Sequence, residues 1–266
     1  MVASKIFNYE NKLVAFVDLL GFKKAVFESE SDTNIKKSVD KAVYSYLKLK
    51  TLNDAYIELM KEKGINKGLY DIAFFSDCFV ISCKKQSDEQ KDLYIEFFKG
   101  LVNMSFKLLS IGFLIRGGVT YGLLYHQNNM IYGPAMNRAY LLESQQAKYP
   151  RILVDGFALQ EISRDEHIRE IMQYISPDQT DNMMFVDYLS QKEYFEENDN
   201  YYNSNNERLS YDTLLLQSKD QIEMSIKTFK EQNKVLDKFN WFKDYHNNIV
   251  LKSESLQDNK NEFLIK

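Results

Sequence analysis

Two kinds of apolar pattern alternate along this chain. Leu13-Val-Ala-Phe-Val17 is short, continuous and apolar, the signature of a strand covered on both faces. It ends in Asp18-Leu-Leu-Gly-Phe22, where a glycine can turn backbone amides toward a ligand. Residues 23–63 then carry helical spacing, clearest at Val39, Val43, Tyr46 and Leu47, with Lys63-Gly64 or Lys67-Gly68 as the stop. Residues 71–83 read as two short strands around Phe75-Ser76-Asp77-Cys78, a hairpin with an acid at its tip. Helical spacing returns over 88–109 and ends at Gly112. A glycine-bearing strand follows over 113–122, then a helix over 135–147 and a strand over 151–155. Beyond these, 157–175 reads as helix, 183–189 as strand and 193–207 as polar loop. The longest helical pattern spans 214–239, followed by the aromatic group Phe239, Trp241, Phe242 and Tyr245.

That order predicts an α+β sheet with helices on one face. If the first strand pairs with the hairpin in mid-sheet, Asp18 and Asp77 come side by side.

Composition narrows the functions available. With 266 residues, 44% of them hydrophobic, the chain can bury a sizeable core without covalent staples. A net charge of −4 argues against a surface built to track nucleic acid. Cys78 and Cys83 lie five apart in one strand, face opposite ways and read as reduced core residues. No leader-like N-terminus and no apolar run near the roughly 20 residues needed to span a bilayer is found, so a cytoplasmic protein is expected. His126, His167 and His246 lack the spacing of a structural zinc site, and His126, beside Asn128 and Asn129, is expected to be solvated in a loop.

Four segments, in order, resemble the class III nucleotidyl cyclases. Phe16-Val-Asp-Leu-Leu-Gly-Phe22 is similar to the family's first metal motif, Phe-x-Asp-Ile-x-Gly-Phe, and Phe75-Ser-Asp77 stands where the family has Gly-Asp on its hairpin. Arg116-Gly-Gly-Val-Thr-Tyr-Gly122 resembles its Arg-x-Gly-Ile-x-x-Gly strand. Gly133-Pro-Ala-Met-Asn-Arg-Ala139 with Leu142-Glu143 resembles its Gly-x-x-x-Asn-x-Ala segment and the Leu-Glu that follows. The likeness covers residues 10–155 and implies a cyclase catalytic core over 1–155 with a ferredoxin-like antiparallel sheet. Residues 156–266 would then be the remainder of the same domain, a mainly helical C-terminal extension.

The departures carry information too. Adenylate cyclases have Lys four residues before the second aspartate, here Ala73, and an adenine-reading Asp three residues before the Gly133 equivalent, here Met130. Buried base edges need polar partners, so apolar residues at both positions disfavour adenine. The family's transition-state Arg, four residues after the Asn, is here Leu141, which leaves Arg116, Arg138, Lys148 and Arg151 as candidate cations. The sub-pattern from Phe-Ser-Asp to Tyr-Pro-Arg-Ile152 is similar to bacterial pyrimidine cyclases of Pycsar anti-phage systems.

The resemblance thus implies cyclisation of UTP or CTP to the 3′,5′-cyclic monophosphate with release of pyrophosphate. Asp18, Asp77 and the Leu19 carbonyl would hold two Mg²⁺ or Mn²⁺ ions. The amides of Leu20, Gly21 and Phe22 would hold the triphosphate, Arg116 a base or phosphate, and Asn137 the ribose from the second protomer of a homodimer. The product would be read by a separate effector protein. A purine cyclase and a cyclase-fold nucleotide sensor without turnover remain the alternatives.

Overall fold

In a computed structural model of the chain, residues 8–61, 70–84, 92–127, 130–198 and 201–266 are described. The expected helix stops at 63–68, the helix start at Asp88, and Asn128 and Asn129 lie outside them. The first strand, β1 (Glu10–Leu19), shows why its sequence looks continuous. Leu13, Ala15, Val17 and Leu19 enter the main core, while Val14 and Phe16 meet a smaller apolar cluster on the other face.

The other strands are β2 (Asp71–Phe75), β3 (Cys78–Cys83), β4 (Ile115–Gln127), β5 (Met130–Tyr132), β6 (Ile152–Val154), β7 (Ile175–Pro177) and β8 (Met184–Val186). They form one mixed sheet in the order β2-β3-β1-β4-β6-β8-β7, with β5 paired to β4. Neighbours run antiparallel except β4 and β6, which are parallel. Thus β1 sits in mid-sheet between the hairpin strand β3 and the glycine-bearing β4.

Ten α-helices accompany the sheet among the described residues: α1 (Phe22–Glu28), α2 (Thr33–Lys61), α3 (Leu93–Ser110), α4 (Pro134–Leu141), α5 (Gly156–Ile162), α6 (Ile168–Ile171), α7 (Lys192–Glu197), α8 (Tyr211–Thr228), α9 (Asn233–Lys252) and α10 (Lys260–Phe263). The fold is therefore mixed α+β with helices at its C-terminal end. Helix α3 is apolar nearly all round and passes through the main core, where Phe97, Phe98, Leu101, Val102 and Phe106 are wholly buried. Helix α4 covers part of the opposite face, setting Ala135 and Ala139 against Val14, Val80 and Leu124. A β-carbon on Gly118 would stand 2.4 Å from the Leu142 β-carbon and 2.8 Å from the Ala139 carbonyl, so strand and helix approach to a distance that only glycine permits.

Three expected elements take another form. The helix over 135–147 ends as α4 at Leu141 and gives way to a π turn, Leu142–Gln146. The pattern over 214–239 is two helices, with a break at residues 229–232 that lets Phe229 stack on Phe239 at 5.7 Å. The span 157–175 is two short α-helices and a 3₁₀ turn leading into β7.

The reading of His126 is corrected. Strand β4 continues past Gly122 to Gln127, β5 doubles back on it, and His126 is buried with Nδ1 2.8 Å from the Ser82 hydroxyl. Beside it the buried Lys12 ammonium pairs with Asp71 at 2.5 Å and donates to the His126 carbonyl. Among the described residues, no helix is long and apolar enough to cross a membrane.

Candidate active site

The hairpin and β1 meet at one end of the sheet. Asp18, next to last in β1, is the pairing partner of Cys78 on β3 and of Arg116 on β4, so the three side chains share one face. Between β2 and β3 the chain turns through Ser76, held at φ 54°, and the Asp77 carbonyl accepts the Leu19 N–H at 3.0 Å. That bond fastens the hairpin tip to the end of β1. Asp18 and Asp77 are thereby brought together, close enough that the Asp77 charge raises the pKa of Asp18.

A third acid joins them. The π turn after α4 buries Glu143, whose Oε1 lies 2.5 Å from Arg116 Nε, while the same nitrogen donates to Asp18 Oδ2 at 3.3 Å. Burial raises the Asp18 carboxyl above its ordinary range, and the nearby Arg116 guanidinium opposes it. Burial likewise lifts Glu143 to about 7, with Arg116 again lowering it and the charges of Asp18 and Asp77 adding to the rise. The Cys78 thiol is pushed up to about 11 by burial and by the same acids. The buried Tyr46 hydroxyl, from α2, has no hydrogen-bond partner among the described residues, and burial with the neighbouring Cys78, Asp18 and Asp77 raises its pKa.

A second cation comes from far along the chain. Lys238 on α9 is half-buried, and its charge favours the ionised forms of Asp18 and Glu143. Burial, followed by Arg116, lowers its own pKa.

Three carboxylates against two cations leave the cluster acidic in a partly desolvated setting. Its donors are oxygens, which hard divalent ions select, and a cation held by Asp18 and Asp77 would offset the burial that raises Asp18 and the Asp77 repulsion that adds to it. The donor set therefore fits Mg²⁺ or Mn²⁺. Among the described residues no group of three or more His, Cys, Asp or Glu is arranged to hold a metal unaided, so further ligands must be main-chain or substrate oxygens.

The other expected site residues fall as follows. Gly21, at φ 80°, makes the turn from β1 into α1, and Phe22 is buried against Phe113 at 5.7 Å. The Leu20 N–H donates to the Leu114 carbonyl at 2.9 Å. Asn137 is exposed on α4 and takes no part in the acidic cluster. Of the four candidate cations, only Arg116 joins the acids. Arg138 donates to the Tyr121 carbonyl and stacks on Phe157, Arg151 is buried between Asp178 and Asp181, and Lys148 is exposed. Leu141 lines a cavity of about 460 Å³ with Arg138 and Phe157.

Sequence reasoning missed Glu143, Lys238 and Tyr46 as members of the site. Glu143 stands inside a recognised motif, yet only the π turn aims it at Arg116. For Lys238 the available signal was its spacing from Trp241, Phe242 and Tyr245, which puts it on their helix face.

No protein-family model and no curated protein matches this sequence. Among solved structures, the chain is similar to the catalytic core of a rhodopsin-guanylyl cyclase with converted specificity in complex with ATPalphaS. They share 17% identity over 67% of this chain and 94% of that one, with a TM-score of 0.39. It is also similar to a bacterial light-regulated adenylyl cyclase, at 16% identity over 69% of this chain and 53% of that one, with a TM-score of 0.36. At such scores these likenesses carry no argument about activity, which has to rest on the site.

Proposed function

We propose that this chain is a nucleotidyl cyclase of the class III type, converting UTP or CTP to the 3′,5′-cyclic monophosphate and pyrophosphate. The observation that carries the reading is the convergence of Asp18 with Asp77, locked by the hydrogen bond from Leu19 to the Asp77 carbonyl. In this reading Asp18, Asp77 and the Leu19 carbonyl hold two Mg²⁺ or Mn²⁺ ions. When bound, such ions acidify the ribose 3′-hydroxyl and neutralise charge on the phosphoryl oxygens.

The chain's own residues orient the substrate around that centre. The turn at Gly21 offers amides of Gly21 and Phe22 to the triphosphate, and the Leu20 amide would join them by leaving Leu114. Arg116, fixed between Asp18 and Glu143, presents its remaining guanidinium donors to a base or phosphate. Ala73 pairs with Val80, which in turn pairs with Phe16, and Phe16 packs edge-on against Tyr140 at 5.6 Å. An apolar floor of this kind lacks the polar partners that an adenine edge requires and supports a pyrimidine. A purine would need contacts from elsewhere.

A homodimer is part of the proposal. Phe75 is 79% exposed at the hairpin tip, and Tyr140 and Leu141 are exposed on α4 one turn from Asn137. A second copy covering them would bury apolar surface and carry Asn137 to the ribose of its neighbour. Residues 1–155 would carry the chemistry and 156–266 would complete the domain. The cyclic product would act as a cytoplasmic second messenger in anti-phage defence, read by a separate effector. The alternative of a sensor without turnover is favoured by Leu141, because the cation that α4 does carry, Arg138, is tied to the Tyr121 carbonyl and the Phe157 ring.

Incubation with each of the four nucleoside triphosphates and Mn²⁺ tests the proposal. Cyclic UMP or cyclic CMP is the expected main product, and D77N is expected to abolish it while melting like the wild type, since removing one charge from clustered acids relieves repulsion. A cyclic purine as the main product would overturn the base assignment.

A further inference from the structure

A single hydrogen on Arg116 faces two carboxylates. The guanidinium Nε carries one N–H, and it is donated to Asp18 Oδ2 at 3.3 Å. Glu143 Oε1 lies nearer the same nitrogen, at 2.5 Å, yet it accepts no hydrogen bond among the described residues. Glu143 is 3% exposed, so bulk water does not reach that oxygen. A buried acceptor left without a donor is costly, and native structures keep few of them. This one stands beside a donor that is engaged elsewhere.

Both acceptors are held by backbone. Asp18 and Arg116 are direct partners on the paired strands β1 and β4. Glu143 belongs to the π turn, closed by the Ala147 N–H on the Leu142 carbonyl at 2.7 Å. Leu142 in turn rests on Gly118, which lies two residues along β4 from Arg116 and on the same face. The guanidinium ends a long, rotatable side chain, so it is the part that can turn between two fixed oxygens. Asp18 has a second claim on its carboxylate, because a divalent ion held there sets positive charge against the guanidinium that now points at it.

We propose that Glu143 is a positioning residue that takes over the Arg116 Nε–H when a divalent ion binds Asp18, so that the arginine gives up the metal ligand without leaving the site. The inference rests on the cyclase reading, in which Asp18 and Asp77 hold Mg²⁺ or Mn²⁺. Without the ion, Arg116 offsets the charge of Asp18. With the ion, the same N–H turns to Glu143 Oε1, and the guanidinium stays beside the substrate. One hydrogen bond is exchanged for another, and no proton is transferred.

Two measurements on wild type, E143Q and R116M test this without turnover. Calorimetry gives the affinity for Mn²⁺, and NMR follows the Arg116 Nε–H signal, assigned by its loss in R116M, as Mg²⁺ is added. In wild type, Mg²⁺ is expected to shift that signal while its hydrogen stays protected from exchange with solvent. In E143Q the same addition is expected to speed the exchange, and Mn²⁺ affinity is expected to fall about tenfold. R116M removes the competitor for Asp18 and is expected to tighten Mn²⁺ roughly threefold. Unchanged Mn²⁺ affinity in E143Q would overturn the proposal. So would weaker binding in E143Q with an Nε–H signal that responds to Mg²⁺ in neither protein, since Glu143 would then act through its charge alone. Should E143Q fail to fold, the wild-type signal decides by itself, because an Nε–H unmoved by bound Mg²⁺ has not changed acceptor. Wild-type protein that binds neither ion sinks the metal site and the cyclase reading with it, whereas an ion bound without any response at Arg116 sinks only the role given to Glu143.

Discussion

At the scale of single residues, burial rather than residue type decides charge. His126 looks solvated beside two asparagines, but in β4 it is enclosed, and burial lowers its pKa from the ordinary 6.5 to about 4. Between those values the unfolded chain takes up a proton that the folded chain refuses, so stability falls as pH drops from 6.5 to 4. Above 6.5 the group has no effect. Its share amounts to about 3 kcal/mol across that window. H126N retains an acceptor or donor for Ser82 and cannot titrate, so its thermal stability should decline less steeply than that of wild type between pH 6.5 and 4. Parallel slopes for the two proteins in thermal melts would contradict this account. The raised Glu143 carboxyl arises by the same desolvation, yet beside Arg116 it serves to fix a guanidinium at the site.

At the scale of elements, the contact between β4 and α4 is governed by one missing side chain. Gly118 lies under the Ala139 carbonyl and Leu142, the point at which α4 becomes a π turn. Such irregular turns concentrate where a side chain must be re-aimed, and here the turn delivers Glu143 to Arg116. G118A should force the helix away from the strand and lower stability by roughly 1–3 kcal/mol, read from the urea midpoint. Because Glu143 and Asn137 ride on the displaced segment, activity should fall further than stability does. The interruption between α8 and α9 has a comparable role. A single helix over the whole pattern could not fold Phe229 back onto Phe239, and that stack helps to set where Lys238 lies.

At the scale of the whole molecule, the fold gathers Asp18, Asp77 and Glu143 in one place and leaves Asn137 exposed on α4 outside that cluster. If two copies combine, D77N and N137A damage opposite halves of a shared site. Each variant alone should be inactive. Mixed in equal amounts and allowed to exchange, they should form dimers of which half are hybrids, each with one intact site, and recover about a quarter of wild-type activity. No recovery in the mixture, with exchange verified by sedimentation, would rule out a site shared between protomers.

Much of this arrangement was legible in the chain itself. Strand and helix periodicities marked β1, the hairpin, α3 and the glycine-bearing strand, because local patterning reflects which face an element buries. Asp18 and Asp77 were identifiable because each interrupts an apolar run at a strand end or turn, where only a functional or capping acid is tolerated. The sequence could not disclose Lys238, Tyr46 or the buried state of His126. Their surroundings are made by segments dozens to hundreds of residues away, and desolvation depends on what packs against a side chain, not on its neighbours in the chain. Tertiary structure alone decided which of several cations reached the acids, since Arg116, Arg138, Arg151 and Lys148 were all candidates without a matched motif position and only packing set Arg116 beside Asp18.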